Sequence, residues 1–525
     1  MNRFDRNQNP SKGKVKTSIG NSSKPTLSTN SYDEVPYTSL PFAQTHPDRL
    51  ATLATLFGLS HPPLASCRVL ELGCAAGGNL IPMAEQLPDA EFVGVDLSAV
   101  QVASGRAVID TLGFNNVRLI AGSIEEIDES YGDFDYILCH GVYSWVPATV
   151  QESILAICHE RLQPGGIAYI SYNTLPGWHM RSMIRDLMRY HALGFGSPSE
   201  QVGQARAILD FLAQAAPTQD TVYSALLKNE LELLQNMPDS YIFHEHLEEV
   251  NEPIYFREFI ERAARHKLKY LAETDFNMML ASRFPVNVSE TLHRVAPDII
   301  GYEQLMDFVV NRTFRQSLLI HDHIKVDRNV PLSRIQQLRI ASPLTPVNAE
   351  PSLNTDTAEE FGLADASLVS ASSPLTKAAL LVLSRSWPTS ITWNELVGNA
   401  SRMLGSDYSP SAHEIEVLQT DMLQSFMNGL VLLNRIAPPY TNRASDYPKA
   451  SALARHQAKA SGTVTSLRHE QVNLDAAART LIGWLDGQTS STSLSERLGQ
   501  QFPEMPEQGL TILLDGLAKA GLLVV

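Results

Sequence analysis

Cysteine is scarce in this chain of 525 residues. Only Cys67, Cys74, Cys139 and Cys158 occur, all in one third of the sequence and none in CxxC spacing. That excludes a disulfide framework and gives no sign of a zinc site. A reduced, cytoplasmic setting is the simplest reading. Basic charge is also in deficit: the formal net charge is −16. A general nucleic-acid binder needs a basic surface to displace counterions, so that class is disfavoured. Long apolar runs are absent as well. None approaches the ~18–20 residues that span a bilayer, and the N-terminus lacks the short apolar core of a secretory signal. No membrane insertion is expected.

What remains is an ordinary globular composition, 44% hydrophobic and 19% charged, which suffices for real cores. At ~100–200 residues per domain the length suggests two to four domains. Residues 1–30 are rich in Ser, Asn and Lys and poor in apolar side chains. They read as a disordered tail.

From Val69 the pattern alternates. Strands are expected at Arg68–Leu72, Glu91–Val95, Val117–Ala121, Phe134–Cys139 and Ile167–Tyr172. Helices fall between them at Leu80–Leu87, Ala99–Leu112 and Val150–Leu162. Such alternation indicates a parallel sheet. Pro164-Gly165-Gly166 reads as a helix stop and a tight turn. Residues 179–267 are helical in pattern, and Tyr270–Thr274 and Ser317–His321 supply two more strands. The fold class is therefore α/β: a Rossmann-like seven-stranded sheet over residues 31–325 with a helical insert at 179–267. Residues 340–375, rich in Ser, Pro, Thr and Ala, read as a linker. Residues 376–440 read as a winged-helix-like module, and 445–525 as a C-terminal, mostly helical module in which the winged-helix fit is weaker.

The strongest chemical signal is Val69-Leu70-Glu71-Leu72-Gly73-Cys74-Ala75-Ala76-Gly77-Gly78. A glycine-rich turn between strand and helix lets the backbone approach a ligand closely. Glu71 at the strand tip suits a ligand ammonium group, whereas a phosphate would be repelled. The alternative is a turn that only packs the helix. Asp96 then ends the second strand, and a carboxylate about twenty residues past the turn can accept both ribose hydroxyls. Ser98 is a good N-cap, which leaves Asp96 freer to meet a ligand.

These motifs resemble the class I S-adenosylmethionine-dependent methyltransferases. Glu71-x-Gly73-x-Ala75-x-Gly77 matches their acidic-x-Gly-x-Gly-x-Gly motif, with Ala75 in place of one glycine. The resemblance implies that S-adenosylmethionine lies across Gly73, Cys74, Ala75, Gly77, Asp96, Leu97, Ser123 and Ile124. Asn79 and Gln101 stand beside it, and Tyr37, Thr45 and His46 come from an N-terminal lid. His140 and Gly141, after strand four, face the methyl group.

Longer blocks extend the resemblance. They are Pro41-Phe42-x-x-Thr45-His46-Pro47, His140 to Pro147, Tyr172-Asn173-Thr174-x-Pro176-Gly177-Trp178, and Phe243-His244-Glu245-His246-Leu247-Glu248-Glu249-Val250. Together they look like bacterial methyltransferases with a methyltransferase regulatory domain, expected here at about 215–300. That group includes outer-membrane-protein lysine methyltransferases, which also carry a winged-helix-like C-terminal module.

Tyr143, Trp145, Tyr172 and Trp178 follow strands four and five, where aromatic walls suit a cationic reactant and exclude water. Core packing is the alternative for each. Asn173 can orient an amine, and His140 is either a proton acceptor or a packing residue. His244 and His246 do not form a metal pair, since histidines two apart leave a helix on different faces. Glu245, Glu248, Glu249 and Glu252 would share one helical face. That face either attracts a basic substrate segment or pairs internally with Arg257, Arg262 and Arg265.

The expected activity is methyl transfer to lysine side chains of a protein substrate. A small-molecule methyltransferase is the second reading. A DNA-binding regulator is the third, disfavoured because the basic residues of 371–445 are balanced by acidic ones.

Overall fold

Four of the first five strands are apolar segments covered on both faces, while the edge strand Val117–Ala121 alternates buried and exposed residues. In β1 (Arg68–Leu72) every residue after Arg68 is buried, the pattern of a strand with helices on both sides. β2 (Glu91–Asp96), β3 (Val117–Ala121) and β4 (Phe134–Cys139) join it in parallel. The helix Ala99–Leu112 between β2 and β3 starts where the Ser98 hydroxyl accepts from the Gln101 N–H at 3.2 Å, and ends at Gly113 with φ 72°. The computed structural model describes residues 31–215, 221–363 and 367–525. The tail expected at 1–30 lies outside them.

β5 is longer than expected, Leu162–Leu175. Pro164-Gly165-Gly166 is therefore not a turn between elements. It sits inside the strand, where the pairing with β4 is irregular between Phe134 and Tyr136. β6 (Ile254–Tyr255) pairs with the far end of β5. β7 (Leu268–Glu273) and β8 (Phe314–His321) close the sheet in antiparallel fashion, giving the order β3-β2-β1-β4-β5-β8-β7. Seven strands were expected and these seven form the main path.

The helical insert has its own small core. Helices Trp178–Ala192, Pro198–Ala215 and Val222–Gln235 meet through Ile184, Met188, Leu209 and Leu227, and Phe243 and Leu247 join them. A further helical pair, Val286–Val295 and Ile299–Val310, separates β7 from β8. Fully buried Arg315 of β8 anchors that region. It bonds Glu273 of β7 at 2.7 Å and Glu303 and Asp307 of the second helix at 3.1 and 2.8 Å.

Residues 340–375 are not a free linker. β9 (Arg339–Ala341), β10 (Thr345–Pro346), β11 (Glu359–Gly362) and β12 (Leu368–Ala371) lie there. Ile340, Leu344, Phe361 and Ala371 are buried in one core with the sheet. The polar composition hid this because few of the segment's residues turn inward.

Helices Pro374–Ser386, Trp393–Leu404 and Ala412–Met427 follow, with β13 (Ile391–Thr392) and β14 (Leu432–Asn434) flanking β9 in a small antiparallel sheet. Three helices and this sheet occupy the segment expected as a winged-helix-like module. The last module has helix Ala452–Ala460, the hairpin β15 (Thr463–Thr465) and β16 (Gln471–Asn473), then three helices ending at Lys519. Its core, from Ala450 to Leu523, is separate. No helix among the described residues is long and apolar enough to cross a membrane.

Candidate active site

A cavity of about 620 Å³ opens at the C-terminal ends of β1, β2, β4 and β5, the place where parallel α/β sheets present their ligand sites. At the turn after β1, Gly73 has φ 79°, a left-handed conformation that suits glycine. Ala75 stands at φ 49°, which is uncommon for a residue with a side chain. Its N–H donates to Asp96 Oδ2 at 2.7 Å, which offsets that cost. Asp96 Oδ1 accepts from the Ser98 N–H at 2.8 Å. Two backbone donors thus aim the Asp96 carboxylate along the cavity wall.

Glu71 is the electrostatic centre. Asn79 donates to its Oε1 at 2.7 Å, while Oε2 is buried without a hydrogen-bond partner. Burial pushes the carboxyl up to about 8, and Asp96 adds to the shift. An orphaned buried oxygen of this kind calls for a cation. An ammonium group placed here would satisfy it and restore the ionised form.

Of the residues expected at a cofactor, Tyr37, Glu71, Gly73, Cys74, Ala75, Asn79, Asp96, Leu97, Gln101, Ser123, Ile124, His140 and Gly141 line this cavity. Three expected there do not. Gly77 packs on Leu119 and Ile81. Thr45 is fully buried behind Asn79, whose amide donates to its Oγ1 at 3.0 Å. The His46 ring accepts the Asp48 N–H and caps the helix Pro47–Leu56.

Of the residues expected near the chemistry, Trp145, Asn173 and Trp178 line the cavity, with the two tryptophans edge to face at 6.3 Å. Tyr143 and Tyr172 do not. They are core residues packed against Phe259 of the helix Phe256–Arg265, Tyr143 edge to face and Tyr172 tilted. His140 touches Phe42 and meets the Tyr169 hydroxyl at 2.7 Å through Nδ1. Burial pulls its pKa down to about 4, so it is neutral and a weak base at neutral pH.

The acidic cluster does not share a face. Its helix ends in a π-turn at Leu247, and Glu248 is already extended. Glu245 lines the cavity beside Arg181 and Tyr241. Burial pushes it up to about 7, opposed by Arg181 and Arg185. Glu248 bonds His244 Nδ1 at 2.9 Å, and Glu249 is exposed. The arginines expected to neutralise the cluster pair elsewhere: Arg257 with Glu261, Arg262 with Glu258 and Arg265 with Glu152. Among the described residues no group of three His, Cys, Asp or Glu is placed to hold a metal ion.

The residues sequence reasoning missed come from afar. A strap at residues 31–46 covers the cavity with Tyr32, Ser39 and Phe42. It is tied by Asp33 to the Ser98 hydroxyl at 2.6 Å, by Ser39 to the Gly78 N–H at 2.7 Å and by Val35 to His244. Arg181, Tyr241 and Phe314 also line the wall. The hints of this strap in the sequence were Tyr37 and the Pro41-to-Pro47 block, which the resemblance assigned to an N-terminal lid.

Comparison with known proteins agrees with the geometry. Residues 64–230 match a methyltransferase domain, 238–321 the predicted methyltransferase regulatory domain and 446–506 the PKMT C-terminal winged helix domain. The regulatory match begins and ends about twenty residues later than expected. The winged-helix match falls on the last module, where the expectation was weaker, and not on 376–440. An uncharacterized protein of Rickettsia prowazekii, RP789, is 38% identical over 89% of this chain and 85% of its own length. A second from that organism, RP028, is 45% identical over 46% of this chain and 96% of its own. The structure of PKMT2 from Rickettsia typhi in complex with AdoHcy is 31% identical, covers 93% of this chain and 100% of that one, and superposes with a TM-score of 0.85. The chain belongs to the class I S-adenosylmethionine-dependent methyltransferases that carry a methyltransferase regulatory domain and a C-terminal winged helix.

Proposed function

We propose that this enzyme methylates the side-chain amine of lysine on a protein substrate in a reducing, cytoplasmic setting. Glu71 would hold the cofactor's ammonium group, Asp96 its ribose, and Ser123 and Ile124 its base. When bound, S-adenosylmethionine supplies an electrophilic methyl group on sulfur. The chain's own residues then have two tasks: to align the amine and to deal with its proton.

The observation that carries the lysine reading is Glu245, a half-buried carboxyl lining the same cavity as Trp145 and Trp178. The aromatic walls suit the cationic head of a lysine and keep water out. Held at about 7, Glu245 attracts the ammonium and accepts a proton near neutral pH, the range in which a general base works best. Asn173 donates its amide to Asn251 Oδ1 at 3.0 Å, which leaves its oxygen as an acceptor for the amine. Such alignment is where most of the rate would come from. The likeness to PKMT2 supports the same reading.

No nucleic-acid partner is proposed. Lys377, one of the few cations of the 374–434 module, has its ammonium buried on the carbonyls of Ser352, Thr355 and Thr357. The test is to incubate the enzyme with labelled cofactor and separated protein and metabolite fractions of the host cell. Label on protein lysine supports the proposal. Label confined to small molecules replaces it with a small-molecule methyltransferase.

A further inference from the structure

We propose that His469, in the C-terminal winged helix, is a positioning residue for the cofactor site, holding Asn79 in the orientation that presents Glu71. This rests on the reading that Glu71 and Asp96 bind the cofactor. His469 sits in the turn between β15 and β16, 390 positions from Asn79 in sequence, yet its Nε2 is 2.7 Å from Asn79 Oδ1. The ring is 2% exposed, and the residue stands at φ 62°. A side-chain-bearing residue keeps such a backbone only where its surroundings over-determine it, often beside a functional site.

The polarity of the contact follows from chemistry. The Phe42 backbone N–H, 3.0 Å from Asn79 Oδ1, can only donate. That fixes which end of the amide is oxygen. The other end, Nδ2, gives its hydrogens to Glu71 Oε1 at 2.7 Å and Thr45 Oγ1 at 3.0 Å. His469 faces the same oxygen as Phe42, so its Nε2 carries the proton. Its Nδ1 then accepts from Gln86 at 3.5 Å.

One amide therefore joins three parts of the chain: the strap through Phe42, the winged helix through His469 and the cofactor turn through Glu71. If Asn79 flipped, its oxygen would confront the Glu71 carboxylate and its NH₂ the Phe42 N–H. His469 adds a second donor against that flip. The same helix that Asn79 precedes, Leu80–Gln86, also ends on the module. Glu85 accepts from the Ser451 hydroxyl at 2.7 Å and the Ala452 N–H at 2.5 Å. Because linkage is reciprocal, a module docked through His469 favours the cofactor, and the cofactor favours docking.

The full-length enzyme tests this by calorimetric titration with S-adenosylhomocysteine. His469→Ala should weaken binding by about 3- to 10-fold, the loss of one buried hydrogen bond. His469→Gln, which can place an N–H near the same point, should recover most of it. The KM for the cofactor should rise while kcat at saturating cofactor stays unchanged. Glu85→Ala, which loosens the same interface away from Asn79, should keep near-wild-type affinity. Unchanged affinity in His469→Ala, no recovery with glutamine, or an equal loss in Glu85→Ala overturns the proposal. If the alanine variant does not fold, His469→Phe keeps the ring, deletes the donor and decides in the same way. Asp96→Ala separates the two ideas. If it weakens binding and His469→Ala does not, only this inference fails; if neither does, the cofactor reading fails and takes this one with it.

Discussion

His244 and Val35 lie 209 positions apart in the chain, and the histidine Nε2 meets the valine carbonyl at 2.6 Å. Tyr32 stacks on the same imidazole at 4.5 Å between centroids, and Glu248 holds its other nitrogen. The start of the regulatory domain thus latches the strap that covers the cavity. His244→Ala should loosen this latch. Dissociation of S-adenosylhomocysteine should speed up by about 10-fold, the scale of one buried hydrogen bond, and the strap should become protease-sensitive. Stopped-flow release and limited proteolysis read both effects. Unchanged release would mean that Asp33, Ser39 and Phe42 hold the strap without His244.

Asp96→Ala should cost roughly 1–3 kcal/mol of cofactor affinity, the range for hydrogen bonds to a charged group. The variant also strips the Ala75 and Ser98 N–H groups of their acceptor, so the upper half of the range is expected. Isothermal titration with S-adenosylhomocysteine measures it. Full affinity in a folded variant would remove Asp96 from the site.

Glu71 makes the ligand-free protein pH-sensitive in a defined direction. Its folded pKa is pushed up to about 8, against an ordinary value of 4.5. Between those values the folded state holds a proton that the unfolded state has released, so stability falls as pH rises from about 4.5 to 8. Glu71→Gln should flatten that part of the melting-temperature profile. S-adenosylhomocysteine, whose ammonium favours the ionised carboxylate, should bind more tightly at pH 8 than at pH 6. A wild-type affinity independent of pH would separate Glu71 from the ammonium.

Glu245 and Glu249 lie four positions apart and should behave differently. With a lysine-bearing protein substrate, kcat/KM should rise through about pH 7 as Glu245, held near that value, loses its proton. Glu245→Gln should lower kcat/KM by ~10²-fold or more, the usual worth of a general base, and remove that rise. Glu249→Lys, at an exposed position, should leave the KM for substrate unchanged. A raised KM in Glu249→Lys that shrinks with salt would instead show an acidic docking surface outside the cavity.

Much of the sheet was legible because its signals are local. The strands Val117–Ala121 and Phe134–Cys139 and the helix Ala99–Leu112 stand where apolar runs, the Ser98 cap and Gly113 place them. Glu71, Gly73 and Asp96 announce themselves through spacing to strand ends. Tyr143 and Tyr172 did not. Tyr143 follows β4 and Tyr172 lies near the end of β5, beside the cavity, yet both turn toward Phe259, a residue that sequence reasoning had no means to place behind them. The acidic run of 245–252 misled for a related reason. A helical period assigned it one face, and the π-turn that ends the helix at Leu247 divided its members among the cavity, a histidine latch and solvent.

Residues within a turn or two of one another thus determined the α/β class, the glycine turn after β1 and the acid at the end of β2, since propensity, capping and strand alternation act over that range. Contacts across hundreds of positions decided the rest. Only the assembled fold brings Val35 to His244, buries Ile340 and Phe361 under the sheet rather than leaving them in a linker, and seats His469 on Asn79. Such contacts depend on shape and burial between elements whose mutual placement no local pattern encodes, and a lone histidine in a hairpin turn carries no mark of the amide it will meet.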